Sequence, residues 1–452
     1  MNQEARLSNK TLIGYGLSTA PVMYAYVLVL IMYMKYAVDD LGAEPAIVGS
    51  IFLLAKFWDA ISDPIIGNLS DRTIHASGRR KPWLLASAPL LAIFSIMAWA
   101  PPASLEGWTL NLWITIAIVG FYTAYTVFEV PHMSLGAEIT LDAGERNRVF
   151  GARQGMRILG MLVAGTLGTY LVGQGTTYVA AMTYVLALLT FVFIFTGVSF
   201  LPPERDAFKG RGGQNPYRAL RDVIANPHAR LLLFIVFIDA IGVGGIGVLI
   251  PFVVEYVVKM EEIVPLLLGA NMLTSLVAIP FWIWLARYFD KRRLLISAMA
   301  ASGLGYGLVM FVGEGDWLIM LISSTIAGGA TTCANVLGYS LKAEIIDCDE
   351  YNTGERKEGA YFAGWSFVNK LAGGIMIGLV GFALQLSHFQ PNEPIQTTLV
   401  ENTMVYMMGG FPFVCYMIAA VVFTRFSLTE TEYLRIRAEL DKRHAANKMA
   451  LG

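Results

Sequence analysis

The chain has 452 residues, of which 56% are hydrophobic and only 15% charged. That balance excludes an ordinary soluble enzyme. The formal net charge is −1 at pH 7, which excludes a surface built for nucleic acid or another polyanion.

The apolar residues fall in twelve stretches: 13–36, 45–70, 83–101, 108–135, 149–172, 179–201, 230–258, 262–286, 294–313, 317–341, 360–385 and 402–426. A bilayer core about 30 Å thick takes about 20 helical residues to cross, and each stretch is long enough. The predicted class is all-α and integral to a membrane. The N-terminus is polar and the first apolar run exceeds the about 7–15 residues of a signal's core, so no cleavable signal is expected. Lys and Arg gather in alternate loops: Arg72, Arg79, Arg80 and Lys81 between spans 2 and 3; Arg146 and Arg148 between 4 and 5; Arg205 to Arg230 in the centre; Arg287 and Lys291 to Arg293 between 8 and 9; Lys342, Arg356 and Lys357 between 10 and 11; and the C-terminal tail. Lys259, with Lys35 at a span edge, falls on the other side. Positive charge stays in the cytoplasm, which places both termini there. The expectation is a multi-pass protein of the cell membrane, the inner membrane in a Gram-negative source.

The longest polar interval, 202–229, opens with Pro202-Pro203 and divides the spans six and six. It gives a bundle over 1–201, a cytoplasmic central loop with a short amphipathic helix over 216–230, and a second bundle over 230–427. The tail, 428–452, with Tyr433, Leu434, Ile436 and Leu440 among charges, reads as an amphipathic helix on the membrane surface or on the cytoplasmic loops. Cys333, Cys348 and Cys415 follow no pairing or metal-ligand spacing, so neither a disulfide nor a resident metal is expected. The five histidines fall in separate segments, without the spacing of a catalytic or metal site, and no enzyme is expected.

An acidic residue followed by basic ones recurs in both halves. Asp71-Arg72 and Gly78-Arg79-Arg80-Lys81 follow span 2; Asp290-Lys291-Arg292-Arg293 follow span 8. The first set resembles the signature of the major facilitator superfamily, whose two six-helix halves rock about a midplane site. On that resemblance Asp71, Arg72, Arg79, Asp290 and Arg292 form a cytoplasmic gate; otherwise these charges obey the positive-inside rule and stay solvated.

An ionisable group at mid-bilayer costs about 2.5–3.5 kcal/mol on insertion scales, so each is a functional candidate. They are Lys56, Asp59 and Asp63 in span 2; Glu129 in span 4; Arg153 and Arg157 in span 5; Asp239 and Glu255 in span 7; and Lys370 in span 11. Lys56, Asp59 and Asp63 stack on one helical face. Two carboxylates one turn apart repel unless Na⁺ or a proton joins them, and Glu129 supplies a third if spans 2 and 4 pack. The other reading is a structural ion-pair cluster, with Asp63-Pro64 a kink. Glu255, near the outer end of span 7, is expected to touch water.

Lys56-Phe57-Trp58-Asp59-Ala60-Ile61-Ser62-Asp63-Pro64, Glu129-Val130-Pro131, Thr140-Leu141-Asp142, Glu344-Ile345-Ile346-Asp347 and Asn369-Lys370 resemble the glycoside–pentoside–hexuronide:cation symporter family, melibiose permease among its members. The likeness runs from span 1 to span 12. It implies a cation site at Asp59, Asp63 and Glu129, charge balance from Lys56 and Lys370, and substrate contacts from Glu129 and Arg153. Tyr122 and Trp365 are aromatic candidates for the substrate. The span 1 stretch Tyr15–Tyr24 lacks the carboxylate that binds sugar in melibiose permease, with Met23 or a neighbour in its place, and Asp239 is the candidate to replace it; alternatively Asp239 bonds a neighbouring helix. The expected activity is import of a glycoside, sugar or sugar acid coupled to Na⁺ or H⁺, by a monomer with no cofactor. The alternatives are a lysophospholipid or other amphiphile as substrate, as in the related vertebrate lysophosphatidylcholine–sodium symporter, and a transporter-like receptor that moves nothing.

Overall fold

A computed structural model describes residues 7–140, 143–204, 221, 223–353, 358–428, 432–440 and 442. All described regular structure is helical. Among the described residues, twelve helices are long and apolar enough to cross a membrane: Asn9–Asp40, Pro45–Arg72, Lys81–Trp99, Gly107–Gly136, Arg148–Val172, Thr176–Ser199, Pro227–Val258, Glu261–Leu285, Lys291–Phe311, Trp317–Gly338, Gly364–Leu386 and Thr398–Phe423, spans 1 to 12. They match the predicted stretches to within a few residues.

Local chemistry fixes the ends. Ser8 caps span 1 by accepting from Thr11 N–H at 3.2 Å, and Asn226 caps span 7 by accepting from His228 and Ala229. Pro45 and Pro227 stand in first turns, where a missing N–H costs nothing. Span 7 is interrupted at Gly244-Gly245, between Pro227–Val243 and Ile246–Phe252. Side chains such as Leu188, Leu273 and Val277 stay exposed, the surface that acyl chains cover in a bilayer.

One departure lies beyond span 10. Its helix runs on to Thr353, so Glu344, Asp347 and Glu350 are helical and buried rather than in a loop.

The chain forms two compact units. The first comprises 1–213, 246–265 and 374–404; the second comprises 214–245, 266–373 and 405–452. In the first, spans 2 and 11 approach through small residues: a Cβ on Gly49 would lie 3.0 Å from Gly381 Cα. In the second, the tail helix docks on the end of the long span 10 helix. Tyr433 Oη donates to Asp347 Oδ2 at 3.0 Å and Arg437 reaches the same oxygen at 3.1 Å, while Ile436 and Leu440 join the unit's apolar core. Of the two placements expected for the tail, this is the one on the protein. Burial and the neighbouring Asp347 push the Tyr433 hydroxyl up to about 12, so it remains a donor. Of the predicted central helix over 216–230, residues 216–220 and 222 lie outside the described residues; 221 and 223–225 are helical, and span 7 begins at Pro227. Residues 443–452 also lie outside.

Candidate functional site

Spans 2 and 4 pack against each other in the first unit. Asp59 is 1% exposed, and Asp63 stands one turn further along span 2, partly buried. Between them stands a residue that the sequence did not single out. Thr126 Oγ1 of span 4 lies 2.8 Å from Asp59 Oδ1 and 3.2 Å from Asp63 Oδ1. A hydroxyl has one hydrogen and cannot donate fully to both. Its oxygen and those of the two carboxylates lie close together, a donor set that suits a proton or a small cation. Ser62 Oγ, 3.5 Å from Thr126 Oγ1, adds another oxygen. Span 2 continues through Pro64, which has no N–H and so frees the carbonyl of Ala60 one turn earlier. Carboxylate, hydroxyl and unbonded carbonyl oxygens are the donor types that hard cations take.

Lys56, 6% exposed, sits one turn before Asp59. Its ammonium donates to Tyr26 Oη at 3.0 Å and lies 4.1 Å from the centroid of the Tyr122 ring and 4.9 Å from that of Tyr26. Tyr125 stacks on Tyr26 at 4.5 Å and holds it in place. Tyr122 is therefore a fully buried wall of an aromatic cage rather than an open stacking surface. Tyr26, like Thr126, went unnoticed in the sequence.

Glu129 lies one turn beyond Thr126 and is ion-paired to Arg153 of span 5. Glu129 Oε2 and Arg153 Nε are buried without a hydrogen-bond partner, capacity that a polar ligand would fill. Next to this pair, His132 is stacked between Tyr15 and Phe128. Its Nε2 lies 2.9 Å from the Tyr15 carbonyl, and Tyr15 Oη donates back to the His132 carbonyl at 2.9 Å. That clasp joins spans 1 and 4. Met23, at the expected place of the missing carboxylate, is buried beside Tyr125.

Asp239, Trp365 and Lys370 lie in the second unit. Asp239 lies near Tyr416 of span 12, which stacks on Tyr306 of span 9. Trp365 is buried beside Tyr361 and under Lys342, whose Nζ lies 5.4 Å from the indole centroid. Lys370 is partly buried.

The gate residues are engaged within their own units. Arg79 and Arg80 both reach Asp71 and Glu138. Arg72 is exposed. Asp290 caps span 9 by accepting from Arg292 N–H at 2.8 Å, and the Arg292 guanidinium donates to the Thr424 carbonyl. Glu255 is not simply hydrated: it pairs with Lys35 of span 1.

Known proteins share this arrangement of spans. The family described as MFS/sugar transport protein matches residues 14–430. The chain is 24% identical to the inner membrane symporter YicJ of Escherichia coli (strain K12), over 95% of this chain and 94% of that one. It is 24% identical to the isoprimeverose transporter of Lactiplantibacillus pentosus, over 96% and 91%. Among solved structures, a D-xylose–proton symporter superposes with a TM-score of 0.67 at 14% identity, covering 93% of this chain and 98% of that one, a likeness of fold. With twelve spans of major facilitator type and a match across nearly its whole length, the chain belongs to the MFS/sugar transport protein family.

Proposed function

We propose that this protein is a cation-coupled symporter that carries a glycoside, sugar or sugar acid across the cell membrane by alternating access. The relatives named as symporter and as isoprimeverose transporter support the class. The observation that carries the mechanism is the single Thr126 hydroxyl facing both Asp59 and Asp63. Na⁺ or H⁺ enters there and relieves the repulsion of the two carboxylates. Glu129 and Arg153, adjoining on spans 4 and 5, receive the solute through their unused polar atoms. On the family resemblance Lys56 and Lys370 balance the charge of the cation site, and Asp239, Tyr122 and Trp365 are candidate contacts to the solute. The binding energies of ion and solute differ between the states open to either side, and that difference couples them. The basic loops and both termini face the cytoplasm in this reading.

Thermal unfolding of the purified protein tests it, with glycosides, hexuronates and lysophospholipids, each with and without Na⁺ and at two pH values. A ligand at 100 times its Kd stabilises by about 2.7 kcal/mol, a readable shift. A sugar response that grows with Na⁺ or with acid is the expected outcome. Asp59→Asn and Asp63→Asn should each abolish the cation's share of that response, and Thr126→Ala should weaken it about tenfold, the cost of one hydrogen bond to a charged group. An unchanged cation response in both Asn variants would remove the site. A response to lysophospholipid alone would move the substrate to amphiphiles.

A further inference from the structure

Three stretches far apart in sequence meet at the ends of spans 1 and 7 remote from the basic loops, all within the first unit. Lys35 Nζ lies 3.0 Å from Asp39 Oδ2, one turn later on span 1, and also pairs with Glu255 of span 7. Tyr256 Oη donates to the same Asp39 oxygen at 3.0 Å. It accepts in turn from Asn392 N–H at 3.2 Å, and Asn392 Nδ2 donates to the Asp39 carbonyl at 2.6 Å. Asn392, between spans 11 and 12, holds a left-handed backbone at φ +62°, which Asn tolerates better than most residues. The side chains are well shielded: 18% exposed for Lys35, 3% for Asp39 and 20% for Glu255.

One ammonium serves two carboxylates directly, and Asp40 and Glu261 act on the same cluster. Remove Lys35 and the acids of spans 1 and 7 repel, against the Tyr256 hydroxyl that still donates to Asp39, so the contact loses more than one ion pair. None of these residues belongs to the proposed cation or solute sites. We infer that Lys35 is the hub of a latch holding this mouth of the carrier shut, with Glu255, Tyr256 and Asn392 as its keepers. The inference rests on the transport reading, since a carrier that opens to this side must part spans 1 and 7 here. Each turnover then breaks the cluster and remakes it.

Gly247 offers a reporter. It lies about two turns deeper on span 7 than Glu255, and a Cβ there would meet Ile31 of span 1 at 3.8 Å, an ordinary contact. Gly247→Cys is labelled with a membrane-impermeant maleimide in right-side-out and inside-out vesicles. It is compared in the otherwise native protein, in Lys35→Met and in the exchange variant Lys35→Glu/Glu255→Lys. Lys35→Met should raise the labelling rate about tenfold, which corresponds to about 1.4 kcal/mol, from the right-side-out face only. The exchange keeps one cation among the same acids and should return the rate to near native. It also shows that the fold tolerates change at these positions. Equal rates for native and Lys35→Met would overturn the latch, as would an exchange variant that labels as fast as Lys35→Met. The readout needs no substrate. If the unaltered protein answers to no ion or solute while this labelling pattern holds, the transport reading falls and the closure stands.

Discussion

The acid-then-bases phrase after span 2 and its echo after span 8 occupy the same place in each half and are used differently. After span 2, Gly78 holds φ +107° and turns the chain so that the N–H groups of Arg79, Arg80 and Lys81 converge on one carboxylate. That carboxylate is Glu204, from the segment after span 6, at 2.8, 2.9 and 2.9 Å. The side chains of Arg79 and Arg80 turn the other way, onto Asp71 and Glu138. After span 8 no glycine makes the turn, and Asp290 caps its own helix through Arg292 N–H. One copy recruits acids from two other segments and receives one of them on its backbone N–H groups; the other caps its own helix and reaches outward through side chains only, Lys291 to Glu344 and Arg292 to the Thr424 carbonyl. The repeat has kept the position of the charges, and a single left-handed glycine decides whether a helix N-terminus is open to an outside anion.

The comparison breaks most visibly at Arg80, which is 4% exposed and bonded to Ser70 as well as to the two acids. Arg80→Ala leaves Asp71 and Glu138 crowded around Arg79 alone. It should cost about 3 kcal/mol, the scale of breaking a buried ion pair from one side. Arg292→Ala, at the equivalent turn of the second half, loses one exposed bond to the Thr424 carbonyl and should cost under about 1 kcal/mol. Thermal unfolding in one detergent measures both; equal losses would mean that the two copies serve alike.

Glu204 and Gly78 sharpen the contrast. Glu204→Ala strips three N–H groups of their acceptor and should cost about 1–2 kcal/mol. Gly78→Ala forces a Cβ onto a left-handed residue and to within 2.8 Å of Glu204 Cγ, so it should cost a similar amount, about 1–2 kcal/mol. Much of the second penalty is displacement of Glu204. The double variant should therefore lose clearly less than the sum of the singles. Strict additivity would show that glycine and glutamate act independently, and the anion-receiving turn would not be one device.

How much of this the sequence discloses depends on the reach of each interaction. The twelve spans were legible because apolar length is a local property, and the Lys56, Asp59 and Asp63 face because it needs only helical spacing. Thr126 was not, since one Thr in an apolar helix looks the same whether it bonds its own backbone or two carboxylates on another span. Glu204 read as one more acid in a polar interval. Lys35 and Glu255 were each visible as charges, yet only the fold joins residues 220 positions apart. The helical run to Thr353 was readable after all: Glu344, Asp347 and Glu350 follow at intervals of three, and their spacing outweighs the polarity that suggests a loop. Asp239 was visible as a charge in an apolar span, and its place near Tyr416 in the second unit depended on packing that no local pattern encodes.

The smallest effect separates the two copies most cleanly. Asp290 is exposed and its carboxylate does one thing that the structure shows, accepting from Arg292 N–H at 2.8 Å. Asp290→Ala should therefore cost about 1 kcal/mol, the usual worth of an N-cap, and Asp290→Asn or Asp290→Ser should recover most of it, because either side chain caps. The same series at Asp71 should behave otherwise. Asp71 caps nothing and receives two guanidinium groups, so Asp71→Asn, which keeps the shape and removes the charge, should be as damaging as Asp71→Ala. Rescue by Asn at 290 and failure of rescue at 71, read in the same unfolding assay, would separate a capping acid from a pairing one. Rescue at both positions would mean that Asp71 also acts through hydrogen-bond geometry alone, and the charge network after span 2 would lose its claim to be different in kind.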